Sequence, residues 1–229
     1  MNPQTFALLR AFLFLSLSWT VTAEDKVKIT PLGDSITGNP GCWRALLWKK
    51  LQENNVKNTD FVGTLKGQGC GFEYDGENEG HGGLLVTDIA RENMLEGWLR
   101  ETKPDVVMMH LGTNDVWSDK KPDDIIGAYD KLVDTMRESK ATMKILVAQI
   151  IPLNPSNFPE CGERVDKLNR AIREWAPKRS NQKSSIVTID CHKDFDVKAM
   201  TRHGVHPNDK GNEKLAEAWY DPLVKVIRG

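Results

Sequence analysis

The sequence predicts an α/β fold, a parallel sheet covered by helices on both faces. Three observations carry that expectation. Five short strand-like runs alternate with segments whose apolar residues recur at helical spacing. At least one run, Val106-Val107-Met108-Met109, is continuously apolar, as a strand buried on both faces must be. No internal repeat, low-complexity tract or linker interrupts the alternation, so residues 24–229 read as one domain.

Taken in order, residues 27–32 form the first strand and run into the turn Gly33-Asp34-Ser35-Ile36-Thr37, with a helix-like pattern following. This places the Ser35 hydroxyl at the C-terminal mouth of a strand, beside a helix N-terminus, where open α/β sheets bind ligands. Residues 43–52 carry Trp43, Leu46, Leu47 and Leu51 on one helical face. Phe61-Val62-Gly63 is a second strand. Residues 64–82 read as one long loop, rich in glycine and acidic residues, of a length that is uncommon and often functional. Residues 89–100 are helical and 105–111 form the third strand. Pro122 opens a helix that runs to about residue 140, with Asp123 and Asp124 in the first turn matched to the helix dipole. Residues 144–151 are a fourth strand, stopped by Pro152 and a proline-broken loop over 152–159. A helix over 163–175, a fifth strand over 185–189 and a closing helix over 210–227 complete the pattern.

The first 23 residues read as a secretory signal peptide. Arg10 supplies a positive charge, residues 11–17 are apolar, and Val21-Thr22-Ala23 offers a small-residue cleavage site. The apolar run is too short to span a bilayer, so the expectation is a secreted, extracellular protein without a membrane partner. With 31 basic against 32 acidic residues and no basic arm or stripe, nucleic acid is not an expected partner. Four cysteines in a secreted chain suggest two disulfides. Cys42–Cys70 and Cys161–Cys191 are the expected pairs, because each would staple neighbouring loops. No Cys-x-x-Cys spacing points to a metal.

A serine hydroxyl is a weak nucleophile until a base takes its proton. Among five histidines, His206 is best placed for Ser35, in Gly204-Val205-His206-Pro207-Asn208 before the last helix. The bland alternative is a surface histidine at a helix start. Acyl transfer also needs donors aimed at an oxyanion. The backbone N–H of Ser35, a glycine in His81-Gly82-Gly83, and the Asn114 amide after the third strand are candidates.

These blocks, in this order, resemble the SGNH hydrolases of the GDSL esterase superfamily. Gly33-Asp34-Ser35-Ile36-Thr37 is similar to the first block and Glu79-Gly80-His81-Gly82-Gly83 to the second, with Gly83 its glycine. Gly112-Thr113-Asn114-Asp115 is similar to the third and His206-Pro207 to the last. Gly41-Cys42-Trp43-Arg44, Asp60-Phe61-Val62-Gly63 and Ala218-Trp219-Tyr220 make the chain resemble carbohydrate esterase family 3, the acetyl xylan esterases. The resemblance implies a flavodoxin-like three-layer α/β/α sandwich with a five-stranded parallel sheet. It implies catalytic Ser35 and His206, an oxyanion hole of Ser35, Gly83 and Asn114, and no cofactor. The implied partner is acetylated xylan or a related polysaccharide or oligosaccharide, met by a monomer.

One position departs. The family places Asp three residues before the catalytic histidine, where this chain has His203. A Ser–His dyad oriented by a backbone carbonyl near His203, recruitment of Asp209 or Asp190, or a slow or inactive relative all follow from that change. Two competing functions are a lipase or lysophospholipase of the same superfamily and a non-catalytic carbohydrate-binding relative. Asp34, Arg44, Asp115 and Trp117 are candidate substrate contacts, although Asp34 also suits a turn former and Trp117 core packing. His81 and His110 read as structural, Trp98 as core, and Glu73, Asp75, Glu77 and Glu79 as solvated loop charge.

Overall fold

The computed structural model describes residues 26–38, 40–155 and 158–228. The proposed leader lies outside the described residues. Nine strands and eight helices are described: β1 (Val27–Gly33), α1 (Cys42–Glu53), β2 (Thr59–Phe61), β3 (Leu65–Lys66), β4 (Glu77–Gly80), α2 (Val86–Arg91), α3 (Met94–Thr102), β5 (Val106–His110), α4 (Thr113–Trp117), α5 (Pro122–Ser139), β6 (Lys144–Gln149), α6 (Cys161–Arg179), β7 (Ile186–Asp190), α7 (Val197–Met200), β8 (Thr201–Arg202), β9 (His206–Pro207) and α8 (Asp209–Arg228).

Seven strands form one sheet in the order β3-β4-β1-β5-β6-β7, with β2 also paired to β1. All pairs in it are parallel except β3 with β4. On one edge β1 pairs with β5 from Ile29 to Gly33. On the other edge β2 pairs with Val27, Lys28 and Ile29, and β4 takes over at Leu32 and Gly33. This is the flavodoxin-like strand order, and its switch point lies between β1 and β5.

Alternation along the strands builds the two cores, since successive side chains point to opposite faces. Leu32, Val107, Met109, Ile145 and Val147 pack with residues of α2, α3, α5 and α6. Ile29, Val106, Met108, Leu146 and Ala148 pack with residues of α1 and α8, where Trp43 stacks on Trp219 at 5.7 Å. The three-layer sandwich is therefore present.

Several details differ from the expectation. The segment over 64–82 is not one loop: it holds β3 and β4, and β4 extends the sheet despite its acidic sequence. It does so because Glu79 is fully buried and bonded, its carboxylate accepting from Thr64 N–H (2.6 Å) and the Thr64 hydroxyl (2.9 Å). Glu79 is thus not solvated loop charge. Asp75 is also engaged, accepting from the Phe61 N–H at 2.7 Å. The helix expected over 89–100 is two helices, broken at Asn93, whose φ is +53°.

Cys42 and Cys70 are disulfide-bonded. The expected Cys161–Cys191 bond is absent: both thiols are free and buried. The reason is topological, because Cys161 belongs to the core on one face of the sheet and Cys191 to the core on the other. Among the described residues, no helix is long and apolar enough to cross a membrane.

Candidate active site

The switch point gathers the residues singled out above. Ser35 follows β1, Asn114 follows β5, and His206 arrives from the far edge on the β8–β9 ribbon. His206 Nε2 lies 2.9 Å from Ser35 Oγ. Both line a cleft of about 520 Å³ with Pro40, Gly41, Arg202 and His203 along its walls.

The Ser35 turn is firmly built. Asp34 is fully buried and accepts the Ile36 N–H at 2.9 Å, while its backbone carbonyl accepts from Thr37 and Gly38. Trp43 Nε1 donates to the Ile36 carbonyl (3.0 Å) and Arg44 Nε to that of Thr37 (2.6 Å). Ser35 thus sits in a turn of its own, and not at a helix N-terminus as the sequence suggested, since α1 starts only at Cys42. Burial pushes the Asp34 carboxyl up to about 6, against the pull of the Ile36 N–H.

The oxyanion candidates stand as donors with capacity to spare. Among the described residues, neither the Ser35 nor the Gly83 N–H has a backbone partner. Asn114 Nδ2 spends one hydrogen on the Leu84 carbonyl at 3.0 Å, leaving the other. Gly83 has φ +80° with open space where a Cβ would stand, so the need for glycine there is conformational. A Cβ on Gly82 would meet Ser35 Cβ at 3.8 Å, which sets the glycine pair against the candidate nucleophile.

His206, the candidate base, is held less firmly. His203 adopts the left-handed conformation at φ +56°. Gly204 follows at φ +76°, where a Cβ would strike the Asn154 carbonyl oxygen at 2.1 Å. Among the described residues neither a carboxylate nor a backbone carbonyl hydrogen-bonds the second ring nitrogen of His206. Partial burial lowers the pKa of its imidazole, and the charge of His203 lowers it further. Among the described residues no hydrogen bond joins His203 to His206, and His203 acts on it as an electrostatic neighbour. Asp209 lines the cleft without bonding His206. Asp190 turns the chain after β7, accepting from the His192 and Lys193 N–H groups.

Three of the four candidate substrate contacts face other duties. Asp34 is the buried turn former described above. Arg44 is fully buried and donates to the carbonyls of Thr37, Gly38, Gly76 and Pro40, clamping the loops beside the Cys42–Cys70 bond. With no carboxylate partner among the described residues and a guanidinium pulled down to about 10 by burial, it serves as a structural clamp. Asp115 reaches the start of α2, accepting the Val86 N–H at 2.8 Å and the Thr87 hydroxyl at 2.8 Å. It satisfies helix donors that no residue of α2 itself caps. Trp117 is half-buried and meets Phe158 edge-on at 5.6 Å.

The sequence marks His81 as structural and Trp98 as core, but not their association with Glu79. His81 Nε2 lies 2.8 Å from Glu79 Oε2, and the His81 ring stacks on Trp98 at 4.2 Å. The signal was the i, i+2 spacing of Glu79 and His81 at a strand end, which puts both on one face.

A parallel sheet in this order, with serine after the first strand, asparagine after a neighbouring one and histidine before the last helix, defines the SGNH hydrolase type. Residues 32–214 match the GDSL-like lipase/acylhydrolase family, and the chain belongs to that family. A carbohydrate esterase family 3 structure from Talaromyces cellulolyticus is 34% identical with a TM-score of 0.81, covering 88% of this chain and 98% of that one. An acetyl esterase serine-to-alanine mutant with an acetate ion is 33% identical at TM-score 0.81, with the same coverage. A multidomain esterase of Ruminococcus flavefaciens is 28% identical over 90% of this chain, which spans only 30% of that relative's length.

Proposed function

We propose that this chain is a secreted serine esterase that removes O-acetyl groups from a plant-wall polysaccharide such as acetylated xylan. The observation that carries the reading is the 2.9 Å contact between Ser35 Oγ and His206 Nε2 at the sheet's switch point. Its solved neighbours include an acetyl esterase and a carbohydrate esterase, which supports the acyl group and the carrier. The leader-like first 23 residues and the Cys42–Cys70 disulfide support secretion.

The chemistry proceeds in two halves. Ser35 Oγ attacks the acetyl carbonyl carbon while His206 Nε2 takes its proton. The N–H groups of Ser35 and Gly83 and the Asn114 amide receive the negative oxygen. As the tetrahedral species collapses, the C–O bond to the sugar breaks and His206 returns the proton to the departing hydroxyl. Water then gives its proton to His206 and attacks the acetyl-serine. Acetate leaves and Ser35 Oγ regains its hydrogen. The lowered pKa favours the neutral imidazole, the form that can accept the Ser35 proton.

Among the described residues no carboxylate hydrogen-bonds His206, which favours one second reading, a protein that binds sugar without turnover. Acetate release from acetylated xylan, with Ser35→Ala and a long-chain ester run alongside, separates the readings. Acetate release lost in Ser35→Ala, with the long-chain ester untouched, is the expected result. Hydrolysis of the long-chain ester instead would support the lipase reading, and no turnover by folded protein the binding one.

A further inference from the structure

We propose that His81 is a positioning residue that holds the Gly82–Gly83 turn in its oxyanion-binding geometry. The inference rests on the esterase reading above. The two glycines themselves contribute little to hold the turn. Gly82 and Gly83 are exposed, neither N–H has a backbone partner among the described residues, and the only atom near a Cβ at either position is that of Ser35. Its placement must therefore come from its flanks.

The downstream flank is secured by Asn114, through the Leu84 carbonyl, and by Asp115 at the start of α2. The upstream flank is His81. Its backbone N–H donates to the Gly33 carbonyl at 3.0 Å, tying it to the last residue of β1 and so to the base of the Ser35 turn. Its carbonyl accepts the Leu84 N–H at 3.3 Å, closing the turn around both glycines. The ring is fixed on two sides. Glu79, a carboxylate with no exposed surface, holds Nε2 at 2.8 Å, and Trp98 of α3 stacks on the ring face at 4.2 Å and 11°. Glu79 is itself anchored by both bonds from Thr64. A chain Thr64–Glu79–His81–Trp98 thus braces the residue next to the glycine pair. Because the donors act on charge that develops only in the transition state, a loosened turn should cost turnover and spare substrate binding.

The test uses the mature protein, acetylated xylan and a small acetyl ester, with His81→Ala, His81→Gln and Trp98→Ala. In His81→Ala kcat should fall roughly 10- to 100-fold, the range expected of a misplaced catalytic group, with KM within about threefold. His81→Gln retains an N–H at the position of Nε2 and should recover most of the loss. Trp98→Ala, which leaves the Glu79 bond, should fall between the two. Affinity for phenylboronic acid, whose adduct with Ser35 presents a charged oxygen to the same donors, should weaken in step with kcat. If His81→Ala does not fold, His81→Gln and Trp98→Ala carry the same comparison. Folded variants with wild-type kcat, or with kcat and boronate affinity uncoupled, would overturn the inference while leaving the esterase reading intact. Wild-type protein without Ser35-dependent turnover would overturn both.

Discussion

Ser35 and His206, the proposed nucleophile and base, meet at 2.9 Å, yet the two are held in opposite ways. Ser35 stands at the end of the strand paired on both edges, over a buried Asp34, beneath the Trp43 and Arg44 hydrogen bonds. His206 stands exposed on a two-stranded ribbon of two residues each, with no carboxylate partner among the described residues. Preorganisation therefore lies on the serine side. The turn that carries the nucleophile is set by buried polar bonds, whereas the imidazole is set by ribbon geometry and its contact with Ser35.

The firm side can be broken first. Ser35→Ala should lower acetyl-ester turnover by about 10⁴ or more, because loss of the nucleophile removes the covalent route entirely. Assays of acetate release check this. Replacing Cys42 and Cys70 by serine opens a link that spans 28 residues and should cost about 3.5 kcal/mol of stability on the chain-entropy account. Denaturant unfolding reads that loss. It should also loosen the cleft wall at Pro40, Gly41 and Cys42, and raise KM.

Asp34 tests the same side by pH. Its carboxyl rises from 3.8 to about 6 on folding, so the folded protein keeps a proton that the unfolded chain releases within that window. Stability from this group therefore falls as pH rises through the window, by up to about 3 kcal/mol. Asp34→Asn keeps an oxygen for the Ile36 N–H and removes the titrating carboxyl. Its unfolding free energy should vary less between pH 4 and 7 than that of the wild type.

The smaller effect belongs to the looser side. His203→Asp puts a carboxylate three residues before His206, at a φ of +56° that Asp tolerates. A carboxylate favours the imidazolium, where His203 opposes it. Turnover should rise by roughly tenfold, a fraction of the effect of a full triad carboxylate.

The same contrast explains what could be read in advance. The alternation of strands and helices was legible because it depends on local apolar spacing, and so were the positions of Ser35, Asn114 and His206 after strands or before a helix. β4 was not, because Glu77-Asn78-Glu79-Gly80 has no strand propensity and becomes a strand only where Thr64 and His81 satisfy Glu79. Nor were the duties of Arg44 and Asp115, whose partners include residues more than 25 positions away in sequence. The second cysteine pair misled for a related reason: which face of a sheet a residue occupies is a tertiary fact.

The pH dependence of kcat/KM, measured for the wild type and His203→Asp, tests most directly whether His206 works without a carboxylate partner. In the wild type the acid limb should lie below the ordinary histidine value near 6.5, because partial burial and His203 both lower the pKa of His206. In His203→Asp the limb should move to higher pH as turnover rises. A wild-type limb at or above the ordinary value, unmoved by the substitution, would contradict the account and show that another group already partners the histidine.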